Sequence, residues 1–457
     1  MTGFGSLVRA NNALGAASYG LDVTGQNISN ANTTGYTRQR ADQVSVGPVS
    51  NVPSMYVSRQ RGDQGVAISG TSRLNDPVID ARDRLENSRS SYLATAASTA
   101  SAIETAFPEP TTSGLSSQLD TYFQSWAALA NQPNASGTAS TALRQAVLSA
   151  GTAVTTSLNT ASQNLADTAS TLSSQLSSTV TAAQNSATQL GQLNAAIKVA
   201  SSTGQNTNAL ADQRDMILAD LAKSVGGTAT INSDGTADVT VGGQALVTGN
   251  TVSTLAIDPT SQVTVNGTVA TMTTGAAGAL VTGITVTVPA YQAKLDNVAA
   301  TLASTVNAAH QAGYDANGLP GGAFFSGTTA ATISVAITNP SDLAASGSAS
   351  ASGNNDGTQA TLIANLATAP GSASTTYVNL VGDVGSMSAL AAQQQTIQDS
   401  VTSNIDATRQ SNSGVNYDEE VTNLLMYQRS YQAASRVLTT VDDMLDTLIN
   451  RTGKVGL

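Results

Sequence analysis

The sequence predicts a mainly α protein with a β-rich insert: paired N- and C-terminal α-helical coiled coil, helical-bundle middle domain, small outer β domain. Three observations carry this. Apolar residues recur every seven positions near both ends of the chain. A charge-poor helical stretch fills residues 141–200. Between 225 and 290 the hydrophobic period drops to two.

Near the N-terminus, Leu7, Leu14, Leu21 and Ile28 are spaced by sevens, and Ala10, Ala17, Thr24 and Ala31 follow each by three. That is an a/d stripe with one large and one small seam position, narrower than the apolar face of an ordinary surface helix. Gly35 is a suitable stop. Near the other end, Leu424, Tyr431, Leu438 and Leu445 form one series, and Tyr427, Ala434, Val441 and Leu448 the other. Asn416 can cap this helix, with Glu419 reaching back as in a capping box. Asp418, Glu419 and Glu420 place negative charge at the positive helix end. Matched stripes at distant positions point to the two ends pairing with each other. Two unrelated amphipathic helices on one core would give the same pattern.

Between the ends, residues 35–80 read as irregular or extended, broken by Gly47-Pro48, Pro53, Gly62-Asp63 and Gly70, with a short strand at 65–69. Asp76-Pro77 marks a helix start running to about Ile103. Residues 114–131 form a helix with Leu115, Leu119, Tyr122, Phe123, Trp126 and Leu129 on one face. The stretch 141–200 is a long Ser/Thr-rich helix that needs packing partners, because those residues are mediocre helix formers. A short helix spans 208–223. Alternation from Val225 to Pro289, with hairpin signals at Asp234-Gly235 and Asn266-Gly267, predicts the β insert. Helix returns over 290–311, a strand is expected at 332–337, and the last helical zone begins near Tyr377. The expected domains are 1–35, the N-terminal coiled-coil helix; 36–224, an extended segment then helical middle domain; 225–290, the outer β domain; 291–400, the return to the middle domain; and 401–457, the C-terminal helix.

Composition narrows the function classes. The 457 residues are 4% aromatic and 11% charged, with net charge −11 and 19 Lys+Arg. Globular chains usually carry about a quarter charged residues. The acidic balance and lack of basic runs argue against nucleic acid and anionic membranes as partners. No apolar run reaches membrane-spanning length, so no membrane insertion is expected. With no cysteine and one histidine, His310, thiol catalysis and Cys- or multi-His metal sites are excluded, and neither cofactor nor metal is expected. Asp212, Arg214 and Asp215 read as a salt-bridge cluster, not an active site. His310 reads as a packing or loop-anchoring residue. Asp315, Asn317 and Gly318 read as a turn, lacking the terminal Glu of a calcium loop. Catalytic residues: none.

The stretch Gln26-Asn27-Ile28-Ser29-Asn30-Ala31-Asn32-Thr33-Thr34-Gly35-Tyr36 resembles the N-terminal signature of the flagellar rod, hook and hook-associated axial protein family. Residues 415–450, including Tyr427-Gln428-Arg429-Ser430-Tyr431-Gln432-Ala433-Ala434, resemble the matching C-terminal signature. Tyr36-Thr37-Arg38-Gln39, Leu210-Ala211-Asp212-Gln213-Arg214-Asp215 and residues 307–325 resemble segments of the hook–filament junction members. Family-signature positions here are thus Asn30, Asn32, Thr34, Gly35, Tyr36, Asp212, Gln213, Arg214 and Asp215. Tyr417 departs from an aliphatic residue usual there, and the chain is short around 330–375. The resemblance implies a non-enzymatic structural subunit of the bacterial flagellum, exported through the type III apparatus without a cleaved signal peptide to an extracellular position. It implies a homo-oligomer in a helical ring with hook protein on one side and the second hook–filament junction protein on the other, and an export chaperone at the C-terminal helix. The assembly seam would be Leu7, Leu14, Leu21 and Ile28 against Leu424, Tyr427, Tyr431, Leu438, Val441, Leu445 and Leu448. Another axial subunit (the second junction protein, hook or distal rod protein) is the alternative within this resemblance. A filament-borne enzyme is the remaining class, with no residue set behind it. Ordering a helix costs about 1–2 kcal/mol per residue, so the ends are expected to be disordered alone and to fold on assembly.

Overall fold

The computed structural model describes residues 3–46, 65–133, 138–349 and 355–447. The breakers between Gly47 and Asp63, Leu448 and the end of the last helix lie outside the described residues. The fold is mainly helical with small antiparallel sheets.

The chain opens with α1 (Gly3–Asn30). A hairpin of β1 (Gln39–Ser45) and β2 (Val66–Arg73) follows, with a register shift at Asp42/Gln43. Only the second strand of this hairpin was foreseen. The first alternates polar residues, so its hydrophobic period is silent. Next comes α2 (Pro77–Thr105), capped by Asp76, whose carboxylate accepts from the Val78 and Ile79 amides. The middle domain contains α3 (Leu115–Asn131), the 65-residue α4 (Thr138–Ser202) and α5 (Asn208–Val225).

Two small sheets make the insert. One is four-stranded: β3 (Thr228–Ile231), β4 (Ala237–Val241), β5 (Gln244–Thr248) and β6 (Thr251–Val252). The other is three-stranded: β7 (Leu255–Ile257), β8 (Val263–Val265) and β9 (Thr268–Val269). Asn266-Gly267 turns β8 into β9 with both residues at positive φ, as a primed turn requires. Asn194 of α4 holds the insert: its amide donates to the Ala237 and Gly249 carbonyls and accepts from the Ala237 amide.

The insert is shorter than expected. The alternation predicts strand over residues 275–289, but they form α6 (Gly275–Thr282), a π turn at 283–287 and the start of α7 (Val288–Gln311). The reason is tertiary. Ala277, Gly278, Ala279 and Gly283 are small enough to seat this segment among α2, α4 and α5; a Cβ on Gly283 would stand 3.1–3.2 Å from Leu172 and Thr99. Close helix packing overrides the β preference of the Val/Thr/Ile run.

After α7, β10 (Phe325–Ser326) pairs with β11 (Ser334–Val335), shorter than the expected 332–337 strand. Then come α8 (Thr358–Asn365), α9 (Ala373–Ser413) and α10 (Tyr417–Asp446). The expected boundary at 400/401 therefore falls inside the continuous α9. The break lies at Gly414–Asn416, where Gly414 sits too close to the Gln410 carbonyl to admit a Cβ. α2 and α9 run antiparallel, as Glu104 meets Ser388, Glu86 meets Gln398 and Asp80 meets Arg409.

The core of the middle domain is aromatic. Tyr122, Trp126, Phe324, Phe325 and His310 pack edge-to-face or tilted, with Phe324–Phe325 centroids 4.6 Å apart. His310 is fully buried. Its Nδ1 lies 2.7 Å from the Gly322 carbonyl oxygen, and its Nε2 lies 2.8 Å from the Ala344 nitrogen. Ala344 N–H can only donate, so Nε2 accepts and Nδ1 carries the hydrogen. The ring thus clamps two stretches of the 313–346 loop. Arg144 adds hydrogen bonds to the Leu343 and Pro133 carbonyls.

Burial holds the His310 pKa below its ordinary 6.5, assisted by Arg144 and opposed by the Gly322 carbonyl and Asp315. The unfolded chain takes up its proton near 6.5 and the folded ring only at lower pH. The clamp's stabilisation is therefore full above 6.5 and is lost as pH falls through 6.5 towards the folded value. Hydrogen exchange at the Ala344 amide, corrected for intrinsic rate, is expected to lose protection between pH 7 and 5. Unchanged protection would refute the clamp.

Candidate assembly site

Helices α1 and α10 pack together antiparallel: Asn27 meets Glu420, and Gly20 meets Tyr427. Gly20 makes the approach possible, since a Cβ there would stand 2.5 Å from the Tyr427 ring. The buried stripe of α1 is Ala10, Ala16, Ala17, Gly20, Val23, Thr24 and Asn27. It repeats by heptads but is centred on small residues. Leu7, Leu14, Leu21 and Ile28 flank it, half-buried. On α10, Glu420, Ala434 and Val441 are buried; Leu424, Tyr427, Leu438 and Leu445 are half-buried, and Tyr431 is 39% exposed.

The outside of the pair keeps uncovered apolar residues. Leu425, Met426, Val437 and Met444 of α10 and Val8 of α1 are each between 44% and 61% exposed. Isolated exposed apolar residues are ordinary, but these share one helix pair.

At the base of the pair the seam turns polar. Asn27 is 1% exposed and Glu420 2%. The Asn27 amide donates to the Gln39 carbonyl at 2.8 Å and to Glu420 Oε2 at 3.0 Å, and its oxygen accepts from the Gln39 amide and the Tyr36 hydroxyl. Arg38 reaches both Glu419 and Glu420, at 2.8 and 2.7 Å, and its backbone amide donates to the Ser413 carbonyl. Asn416 caps α10 as expected, accepting from the Asp418 and Glu419 amides. The expected capping box is not formed by Glu419, because the Arg38 guanidinium takes its carboxylate. A charged partner makes the stronger hydrogen bond.

The family-signature residues build the turn after α1. The Asn30 amide donates to the Gln26 carbonyl and its oxygen accepts from Thr33, while Asn32 and Thr34 are exposed. Gly35 has φ +81°, a backbone conformation that favours glycine, and lies against the Met216 side chain of α5. Tyr36 is pushed up to about 12 by burial, then by the nearby Asp212 and Glu420 charges, so it remains a hydrogen-bond donor.

Asp212 and Asp215 of α5 bind Arg73, at 2.9 and 2.6 Å, where β2 ends. The Asp212 contact is an ion pair off the hydrogen-bond line. Arg214 pairs with Asp215 at 2.7 Å and donates to the Gly235 carbonyl of the insert; Gln213 is exposed. Burial raises the Asp212 pKa against the opposing pull of Arg73 and Thr37. Asn208 ties α5 to Gln39 and to the Thr71 carbonyl. The result is a continuous polar joint from the terminal pair, through 36–39 and the hairpin, into the middle domain. Nothing here resembles a catalytic constellation. Among the described residues no group of three or more acids, histidines or cysteines is placed to hold a metal, and no helix is long and apolar enough to cross a membrane.

Arg73 is not singled out by sequence, and Asn27, Arg38, Gln39 and Glu420 stand there only inside the signature stretches or as a helix-end charge, not as one joint. A signal existed for two of them: Glu420 lies seven before Tyr427, and Asn27 seven after Gly20, so both are polar residues on an apolar stripe.

Comparison with known proteins agrees with this geometry. Residues 100–325 match the flagellar hook-associated protein FlgK helical domain, and residues 404–451 match the flagellar basal body rod FlgEFG protein C-terminal model. The flagellar hook-associated protein 1 of Bacillus subtilis is 29% identical over 99% of both chains. The protein of the same name from Salmonella typhimurium is 25% identical over 96% of this chain and 98% of its own length. The chain belongs to the flagellar hook-associated protein 1 family. It is a structural axial component of the flagellum and assembles with other axial proteins there. The fold also matches the flagellar hook junction protein FlgK from Burkholderia pseudomallei, with TM-score 0.64 and 18% identity, over 72% of this chain and all of that one. The two family models meet this hook-associated chain at different places: the helical-domain match begins late in α2, and the rod-type match takes in the end of α9 and all of α10.

Proposed function

We propose that the chain joins hook to filament as a ring subunit of the axial structure. The α1–α10 pair lines the inner tube, the middle domain and β insert face outward, and further copies pack side by side. The observation that carries this is the apolar surface left uncovered on the pair, at Val8, Leu425, Met426, Val437 and Met444. A fully buried Leu or Met contributes about 1.5–3 kcal/mol, so covering these residues is a substantial drive for association. The half-buried Leu7, Leu14, Leu21, Ile28, Leu424, Leu438 and Leu445 and the exposed Tyr431 complete their burial in the same contacts. Hook protein abuts the ring on one side and the second junction protein on the other. Before assembly an export chaperone covers α10, and the chain leaves the cell through the flagellar type III apparatus without cleavage. The role is non-enzymatic. Each terminal helix already offers the other one partner face, so assembly supplies the second face and not the first.

Leu438→Asp tests this. Circular dichroism and Trp126 fluorescence should show the middle domain intact, while the variant fails to enter flagella. Normal filament attachment in that strain would count against the terminal seam.

A further inference from the structure

The α2–α9 pair connects the terminal helices to the aromatic core, yet its seam near the joint is polar. Asp80, Asp83 and Glu86 are all buried on the α9 side of α2. Asn87 donates to Asp83 Oδ1 at 3.0 Å and to Asp406 Oδ1 of α9 at 3.5 Å, so two carboxylates from opposite helices crowd one amide. Arg409 of α9 lies 3.0 Å from Asp80 and 3.8 Å from Asp83. From α5, Asp215 acts on both Arg84 and Arg409. It also binds Arg214 and the β2 residue Arg73, which pairs with Asp212 in turn. Glu86 is satisfied separately by Arg89 and Gln398. The joint therefore sets five carboxylates (Asp80, Asp83, Asp212, Asp215, Asp406) against four guanidiniums (Arg73, Arg84, Arg214, Arg409). One negative charge is left over, where the buried Asp83 faces the exposed Asp406.

We propose that the α2–α9 joint is tightened by a proton: Asp83 and Asp406 share one hydrogen when the helices are closed, and its release loosens the link between the terminal pair and the middle domain. The step is a protonation alone, with water as the donor and acceptor. A protonated carboxyl facing a carboxylate turns a repulsive contact into a hydrogen bond.

Titration agrees in direction. Asp83 is pushed up to about 6 by burial first, then by its hydrogen bond to Asp406 and the Asp406 and Asp80 charges, with Arg409 opposing. Its ordinary value is 3.8. The folded joint holds the proton where the unfolded chain has lost it, so the added stability is full below 3.8 and is lost as pH rises through about 6.

The test is hydrogen exchange on the full chain, corrected for intrinsic rates, over peptides from 77–105 and 391–413 at pH 7.5 and 5.0. Protection in the wild type should rise roughly three- to tenfold at pH 5.0, the site being partly solvent-screened. D83N supplies a permanent N–H donor to Asp406 and should show high protection at both pH values. D406N should do the same from the other side, which guards against a single misfolded variant. D212N should retain the wild-type response. A flat wild-type response overturns the proposal. So does an unchanged response in both D83N and D406N, or a response lost only in D212N, which would move the proton to α5.

Discussion

Glu420→Ala is expected to release the start of α10 from α1 and abolish assembly into flagella. Glu420 is buried, and its two oxygens serve Asn27 and Arg38. Removing one partner of a buried charged network costs about 3–5 kcal/mol, because the groups left behind lose their compensation. Arg38 keeps Glu419, which places the cost at the lower end; Asn27, 1% exposed, keeps its bonds to residue 39 and Tyr36 but loses the link between the helices. Exchange protection over 417–430 should collapse while that of α3 and α4 persists. A double variant with Asn27→Ala should cost less than the sum of the two singles, since both remove the same contact. Additive effects would show that the two residues act independently.

Trp126→Ala should have the opposite distribution: a large loss of stability in the middle domain and little local effect at the terminal pair. Trp126 is fully buried and meets Tyr122, Phe324 and His310 at centroid distances of 5.7–6.5 Å. Replacing a buried Trp by Ala costs about 3–5 kcal/mol through lost transfer energy and the cavity left. The cavity would sit beside the His310 clamp, so the 313–346 loop should open with it. Denaturant unfolding followed by circular dichroism should show a lowered midpoint, with Trp126→Phe intermediate. A midpoint unchanged in Trp126→Ala would mean that the aromatic cluster does not hold this domain.

The two variants also mark where the sequence was informative. The α3 face was legible because Leu115, Leu119, Tyr122, Phe123, Trp126 and Leu129 follow one helical period, and all six are buried. Both terminal helices were legible for the same reason, as were the turns at Asp234-Gly235 and Asn266-Gly267. The α6 segment was not. Its Gly and Ala positions carry no period, and its Val/Thr run favours strand until α2, α4 and α5 are present to pack against. The centre of the α1 seam is half legible. The small series Ala10, Ala17 and Thr24 is in the heptad pattern and is buried, whereas Gly20, which the close approach needs, carries no hydrophobic signal. Periodicity marks only Asn27 and Glu420 of the polar joint, as polar residues in heptad register, because the joint gathers residues as far apart as Asn27, Arg73, Asp212 and Glu420. Only the Asp212–Asp215 part was anticipated, as a salt-bridge cluster.

Placement at the junction is tested most directly by deleting the gene and examining the cells and the medium. The expected result is intact hooks with no filaments and flagellin shed outside, restored by the wild-type chain. Cells that lack hooks would place the subunit below the junction, and normally filamented cells would contradict an axial joining role altogether.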